Sequence, residues 1–212
     1  MLKDKDIREP LFNFLEDRYG KIRIFEEKNI GRSRADVIMI TDALIYGIEI
    51  KSDADTYQRL QTQIQDYDLF ADINFLVAGS THGEHIKEHV PEHWGIITVE
   101  STEDGADFYI LREPQLNPNA LIKNQMAFLW RPELAHIQEL NEMHKYANKS
   151  KAFVTEKIIE TVDETVLKKQ ITDELFERDY TTVFEKINEY RKEHNMKPRR
   201  KKKYKKRNRS VM

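Results

Sequence analysis

The chain has 212 residues, 39% hydrophobic and 34% charged, with a net charge of −2, which is enough apolar content for one good core and a smaller appendage. It contains no cysteine, so disulfides, thiolate-held zinc and a cysteine nucleophile are excluded. No apolar run approaches the roughly 20 residues of a membrane span, and "MLKDKDIREP" lacks the apolar stretch of a signal peptide, so a cytoplasmic protein with no membrane partner is expected.

Taken in chain order, "DIREPLFNFLEDRYG" carries Ile7, Leu11, Phe14 and Leu15 at helical spacing and predicts a helix stopped by Gly20. "KIRIFEEKNI" alternates as a strand does. "GRSR" follows, then "RADVIMITDALIYGIEIKSD", which reads as two apolar strands folded back at a tight "TD" turn. "TYQRLQTQIQDYDLFA" predicts a helix with Tyr57, Leu60, Ile64, Tyr67 and Phe70 along one side. "INFLVA", "WGIITV" and "DFYILR" predict three further strands. Between the first two of these, "HGEHIKEHVPEH" gathers four histidines on a segment whose default reading is a short solvated helix cut by Pro91. The expected class is α/β, with a mixed sheet flanked by helices.

Beyond Pro118 the strand signals stop. "ALIKNQMAFLW" and "PELAHIQELNEMHKYA" read as helices, the second opened by Pro132. Three more short helices are expected after "NKSK", two of them begun at the capping-box spacings Thr161/Glu164 and Thr182/Glu185. The expected division is a core over 1–131, a helical extension over 132–195 and a basic tail over 196–212. The stretch "KPRRKKKYKKRNR" holds 10 of the 35 Lys and Arg and no acid, so the other 25 face all 37 Asp and Glu. Such a block is a polyanion-binding arm or a solubilising terminus. On the first reading Arg199, Arg200, Lys201, Lys202 and Lys203 contact nucleic acid.

Three charges interrupt strands otherwise built for a core. Residues two apart on a strand share a face, so Glu49 and Lys51 are neighbours, with Ile48 and Ile50 on the opposite side. Asp36 opens the preceding strand, which the turn folds back against this one. A charge leaving water costs several kcal/mol unless it is compensated. Two carboxylates are what Mg²⁺ takes from a protein, alongside water and phosphate, and a lysine beside them could orient a hydrolytic water or hold charge on a phosphate. An isolated E-x-K on a half-exposed strand is a solvated face; the acid on the adjacent strand and the helix that follows favour a site.

These residues carry a resemblance. Asp36, then Glu49-Ile50-Lys51, is similar to the signature of the PD-(D/E)xK nuclease superfamily, whose fold is restriction-endonuclease-like. Gln63-Ile-Gln-Asp-Tyr67 resembles the Q-x-x-x-Y element of its RecB-like members. "DIRE", "GRSRAD", "EIKSD", "VPEHWGI" and "LWR", over residues 5 to 131, resemble a bacterial and phage family related to MmcB-like DNA-repair proteins. Ala35 stands where the superfamily pattern has proline. The resemblance implies a Mg²⁺ or Mn²⁺ ion at Asp36 and Glu49, with the Ile50 carbonyl and an outer Glu9 as further ligands. It makes Lys51 the catalytic lysine, with Gln63 and Tyr67 facing the site. Arg32, Arg34 and Arg59 would grip phosphates, although arginines beside a sheet edge are also commonplace. The implied activity is a metal-dependent nuclease, acting on DNA rather than RNA. The alternative is a non-catalytic nucleic-acid-binding or adaptor protein on the same scaffold. A homodimer or a protein partner stays open.

Overall fold

The computed structural model describes residues 4–51, 57–79, 86–103, 105–178, 188–189, 191–193, 195 and 197. The first helix, α1 (Asp4–Tyr19), buries Ile7, Leu11 and Leu15 completely, each worth about 1.5–3 kcal/mol over an exposed position. It ends at Gly20, whose φ of +73° lets its N–H return to the Glu16 carbonyl at 2.8 Å. Strands β1 (Arg23–Ile30) and β2 (Ser33–Ile40) form a hairpin. Strand β3 (Ile45–Lys51) follows a four-residue turn, closed by the Thr41 N–H on the Leu44 carbonyl at 3.1 Å, in place of the two-residue turn expected. A 3-10 turn (Tyr57–Arg59) leads into α2 (Leu60–Phe70). Three strands complete the sheet: β4 (Ile73–Gly79), β5 (Gly95–Thr102) and β6 (Gly105–Arg112).

The six strands pair in sequence order. β1, β2 and β3 are antiparallel neighbours, β3, β4 and β5 run parallel, and β6 returns antiparallel on β5. The molecule is therefore mixed α/β, a sheet flanked by helices. Helix α1 covers one face, where its leucines meet Val37, Met39, Ile48, Ile50, Phe75 and Val77. Helix α2 covers the other, with Leu60, Ile64 and Tyr67 against Ile38, Ile45 and Leu76. All seven residues of β3 are buried as a result, including Glu49 and Lys51, because this central strand is covered on both faces.

Past the sheet come α3 (Ile122–Gln125), α4 (Arg131–Leu140), α5 (Lys151–Thr161) and α6 (Glu164–Glu177). The helix expected over "ALIKNQMAFLW" is only α3 and a following 3-10 turn (Met126–Phe128). Helix α4 stops at Leu140 rather than continuing to Ala147. The Asn141 side chain caps the Ile137 carbonyl at 2.7 Å, and Glu142 takes a left-handed φ of +52°. Helix α6 is capped by Asp163, whose Oδ1 accepts from the Thr165 and Val166 N–H groups, not by Thr161, which is the last residue of α5 and bonds back to Lys157. Thr182 and Glu185 lie outside the described residues, as do His82 and His85. Among the described residues no helix is long and apolar enough to cross a membrane.

The chain divides into two compact units at 177/178, so the part of the expected helical extension up to Glu177 belongs with the sheet. The reason is packing: Leu134, Ile137, Val154, Ile158, Leu167, Ile171 and Leu175 join the same apolar cluster as α2. In the second unit the Arg191 Nε donates to the Lys197 carbonyl at 2.7 Å and Asn195 has a φ of +53°.

Candidate active site

Pairing of β2 with β3 runs from Ile40↔Ile45 to Val37↔Ile48 and ends there. At the next position Tyr67 of α2 takes over. Its hydroxyl accepts the Asp36 N–H at 3.0 Å and has the Glu49 Oε2 at 2.9 Å and the Ile48 carbonyl at 3.1 Å as acceptors for its single proton. The two strands part around this phenol, and the Asp36 and Glu49 carboxylates are set on either side of it. Burial, followed by the charges of Glu49 and Asp36, raises the Tyr67 pKa well above the usual tyrosine value, so the phenol stays protonated. The close approach of α2 depends on Gly47, where a Cβ would meet the Tyr67 ring at 2.5 Å and the Asn74 Oδ1 at 2.6 Å.

Glu49 is held on both oxygens. Lys51 Nζ lies 2.8 Å from Oε1, Gln63 Nε2 donates to the same oxygen, and Tyr67 reaches Oε2. The Gln63 carbonyl in turn accepts from Lys51 Nζ at 2.9 Å. Two of the three ammonium protons are thereby engaged, and Lys51 lines the cavity described below. Asp36 accepts the Ile50 N–H on Oδ2 at 2.9 Å and the Arg8 guanidinium on Oδ1 at 3.2 Å; Arg8 also reaches the Asp36 carbonyl. The charges thus have partners: an ammonium and a carboxamide for the buried Glu49, a guanidinium and a backbone amide for the partly buried Asp36.

A cavity of about 660 Å³ opens over this array. Asp36, Glu49, Ile50, Lys51 and Gln63 line it, together with Arg32, Arg34 and Arg59, so eight of the expected residues share one cavity. Tyr67 stands behind it, fully buried. Glu9 is exposed and does not line the cavity; the residue before it, Arg8, does. Arg199, Arg200, Lys201, Lys202 and Lys203 lie outside the described residues.

Three residues not singled out in the sequence, Asp66, Glu27 and Arg8, also shape the site. Asp66 of α2, nearly buried, accepts the Ser33 hydroxyl at 2.6 Å and the Arg32 N–H at 3.2 Å, and pairs with the Arg32 Nε at 3.4 Å. It packs so close to Gly31 (φ +54°) that a Cβ there would come within 2.7 Å of its Oδ1. The hairpin that carries Arg32 and Arg34 is in this way pinned to the helix that carries Gln63 and Tyr67. Glu27, on β1, bonds Arg8 at 2.8 Å and Arg34 at 2.5 Å and has a φ of +54°, a strain of roughly 1–3 kcal/mol for a non-glycine residue. Arg8 was legible only as part of "DIRE", next to Ile7 on the helix. Asp66 and Glu27 gave no signal, because both act on residues distant in sequence.

The donor set suits one class of metal. Asp36 and Glu49 offer hard oxygen, with the Ile50 main chain beside them, and two carboxylates match a magnesium or manganese ion that keeps water and takes phosphate. Among the described residues no group of three or more His, Asp or Glu side chains is placed to hold a metal, and Asp36 and Glu49 are a pair of carboxylates rather than a closed cage. His93, one of the four clustered histidines, instead contacts the Asp68 carboxylate at 3.0 Å, beside Trp94 Nε1 at 2.7 Å.

The fold and this site define a mixed α/β protein whose strands β2 and β3 present two carboxylates and a lysine, with three arginines, to one cavity. The chain belongs to the family described as bacteriophage P4 protein cII, whose profile matches residues 1–205. Neither a curated protein nor a solved structure matches it.

Proposed function

We propose that this protein is a metal-dependent nuclease of the PD-(D/E)xK type, hydrolysing phosphodiester bonds in DNA. One observation carries the reading: Asp36, Glu49 and Lys51 line a single cavity together with Gln63 and three arginines. Magnesium or manganese, when bound, supplies neutralisation of the phosphodiester charge and a more acidic water. Asp36 and Glu49 would hold it, with the Ile50 carbonyl alongside. Lys51 donates to an oxygen of the reacting phosphate and stabilises the charge that builds there. Tyr67, behind the cavity, and Gln63, on its lining, fix the rotamers of Glu49 and Lys51. Arg32, Arg34 and Arg59 bind flanking phosphates. In the net reaction water oxygen forms a bond to phosphorus, the ester P–O bond breaks, and the leaving oxygen receives a proton.

The test is cleavage of supercoiled plasmid, linear duplex and single-stranded DNA with Mg²⁺, Mn²⁺ or EDTA, using wild type, Lys51→Ala and Asp36→Ala. Cleavage should require metal and fall by about 10²-fold or more in each variant. Mn²⁺ should also raise the melting temperature of wild type and not of Asp36→Ala. Variants that cut as fast as wild type would exclude this site. A second reading, a non-catalytic nucleic-acid-binding protein, is favoured by the ion pair that Lys51 and Glu49 make with each other; binding without cleavage in any metal would support it.

A further inference from the structure

Glu27 sits in the middle of β1 with its backbone in the left-handed region, and its side chain lines the cavity. Each of its carboxylate oxygens meets a different arginine: Oε1 is 2.8 Å from Arg8 Nη2, and Oε2 is 2.5 Å from Arg34 Nε. A carboxylate shared by two guanidinium groups offers them two anionic oxygens, as a phosphodiester does with its non-bridging pair. Arg8 comes from α1 and also touches Asp36 at 3.2 Å, so this arrangement adjoins the proposed reaction centre, and its Nη1 meets the more exposed Glu26 carboxylate at 3.3 Å. The two arginines are brought together by an anion that the chain itself provides, on a backbone position that glycine would occupy without strain. Glu27 is 40% exposed at the side chain, whereas Arg8 is 13% exposed. The carboxylate can turn to water while the partly buried Arg8 guanidinium stays against Asp36; Arg34 is 66% exposed at the side chain.

We propose that Arg8 and Arg34 form a seat for one backbone phosphodiester of a nucleic-acid strand, and that Glu27 fills this seat as an internal stand-in until the strand displaces it. The inference rests on reading the cavity as a nucleic-acid site, and it does not require that the strand be cut. Glu27 preorganises the two arginines and offsets their mutual repulsion. It also lowers the affinity of the cavity for a polyanion, because binding has to exchange one anion for another. If Glu27 were only a structural ion-pair partner, removing its charge would leave the arginines less well placed and weaken binding.

The test uses the full chain in EDTA, where cleavage does not interfere, and a fluorescein-labelled oligothymidylate of about 12 nucleotides as the probe. Fluorescence anisotropy gives the Kd of wild type, Glu27→Gln, the Arg8→Ala/Arg34→Ala double variant and the triple variant. Glu27→Gln should tighten binding about three- to tenfold, and the double variant should weaken it about tenfold or more. The decisive quantity is the coupling: the gain from Glu27→Gln should vanish when both arginines are gone. A general loss of negative charge would give the same gain in both backgrounds, and that result would overturn the proposal. So would weaker binding by Glu27→Gln, or no binding by any of the four proteins. Glu27→Gly, which suits the left-handed φ, should also bind more tightly and melt higher, and serves if the glutamine variant does not fold. Cleavage with additive binding effects would sink the seat and leave the nuclease reading standing; coupled binding without cleavage would do the reverse.

Discussion

At the scale of single residues the site is organised by a phenol. Tyr67 replaces the ladder bond that β2 and β3 would otherwise make, and it gives Asp36 and Glu49 a common neighbour. Tyrosine protonation also marks the alkaline limit of the fold. Burial pushes the Tyr46 phenol up to about 12, and Tyr67 is raised as well. Unfolded tyrosines release their protons near pH 10, so the folded state binds more protons between pH 10 and about 12 and loses stability as pH rises through that window. Denaturant titrations at intervals over this range should show a falling free energy of unfolding, with a shallower fall in Tyr46→Phe. Equal slopes in the two proteins would show that Tyr46 does not contribute.

At the scale of elements the contact that matters is α2 on β3. Gly47 is the clearance for that contact, since any Cβ there strikes the Tyr67 ring and the buried Asn74. Gly47→Ala should therefore push the helix outward and destabilise the protein by about 1–3 kcal/mol. Because Gln63 and Tyr67 ride on the same helix, Glu49 and Lys51 should lose their fixed geometry along with the stability. Chemical denaturation checks the first effect. Cleavage measured well below the new melting temperature checks the second. A variant as stable as wild type would mean that α2 stands off β3 further than these distances imply.

For the whole molecule, the helices after the sheet are part of the first compact unit. Residues from α4, α5 and α6 share a cluster with Leu60, Ile64 and Tyr67. Thr172 of α6 also bonds the Asp42 carbonyl at 3.2 Å, in the turn between β2 and β3. These helices back the element that carries the site. A chain ending at Glu177 should unfold cooperatively, with a melting temperature within about 3 °C of the full protein. A chain ending at Leu129 should not, because the apolar face of α2 is then left open to water. Calorimetry of the two truncations distinguishes a supporting core from a dispensable extension.

The sequence alone determined what local rules govern. Strand alternation set Glu49 beside Lys51 and Ile48 beside Ile50, helical spacing set Ile7, Leu11 and Leu15 on one face, and Gly20 ended its helix. The order of the strands and the grouping of Asp36, Glu49 and Lys51 were legible for the same reason, since the strand period carries over short distances; Gln63 was expected there only from the family resemblance. Tertiary structure alone decided the remainder. Arg8 rather than Glu9 lines the cavity because the packing of α1 on the sheet fixes which residue turns toward Asp36. Glu27 and Asp66 hold the arginines through contacts that no spacing rule relates. The unit ends at 177 because apolar side chains far apart in sequence share one core, and burial depends on what is adjacent in space rather than along the chain.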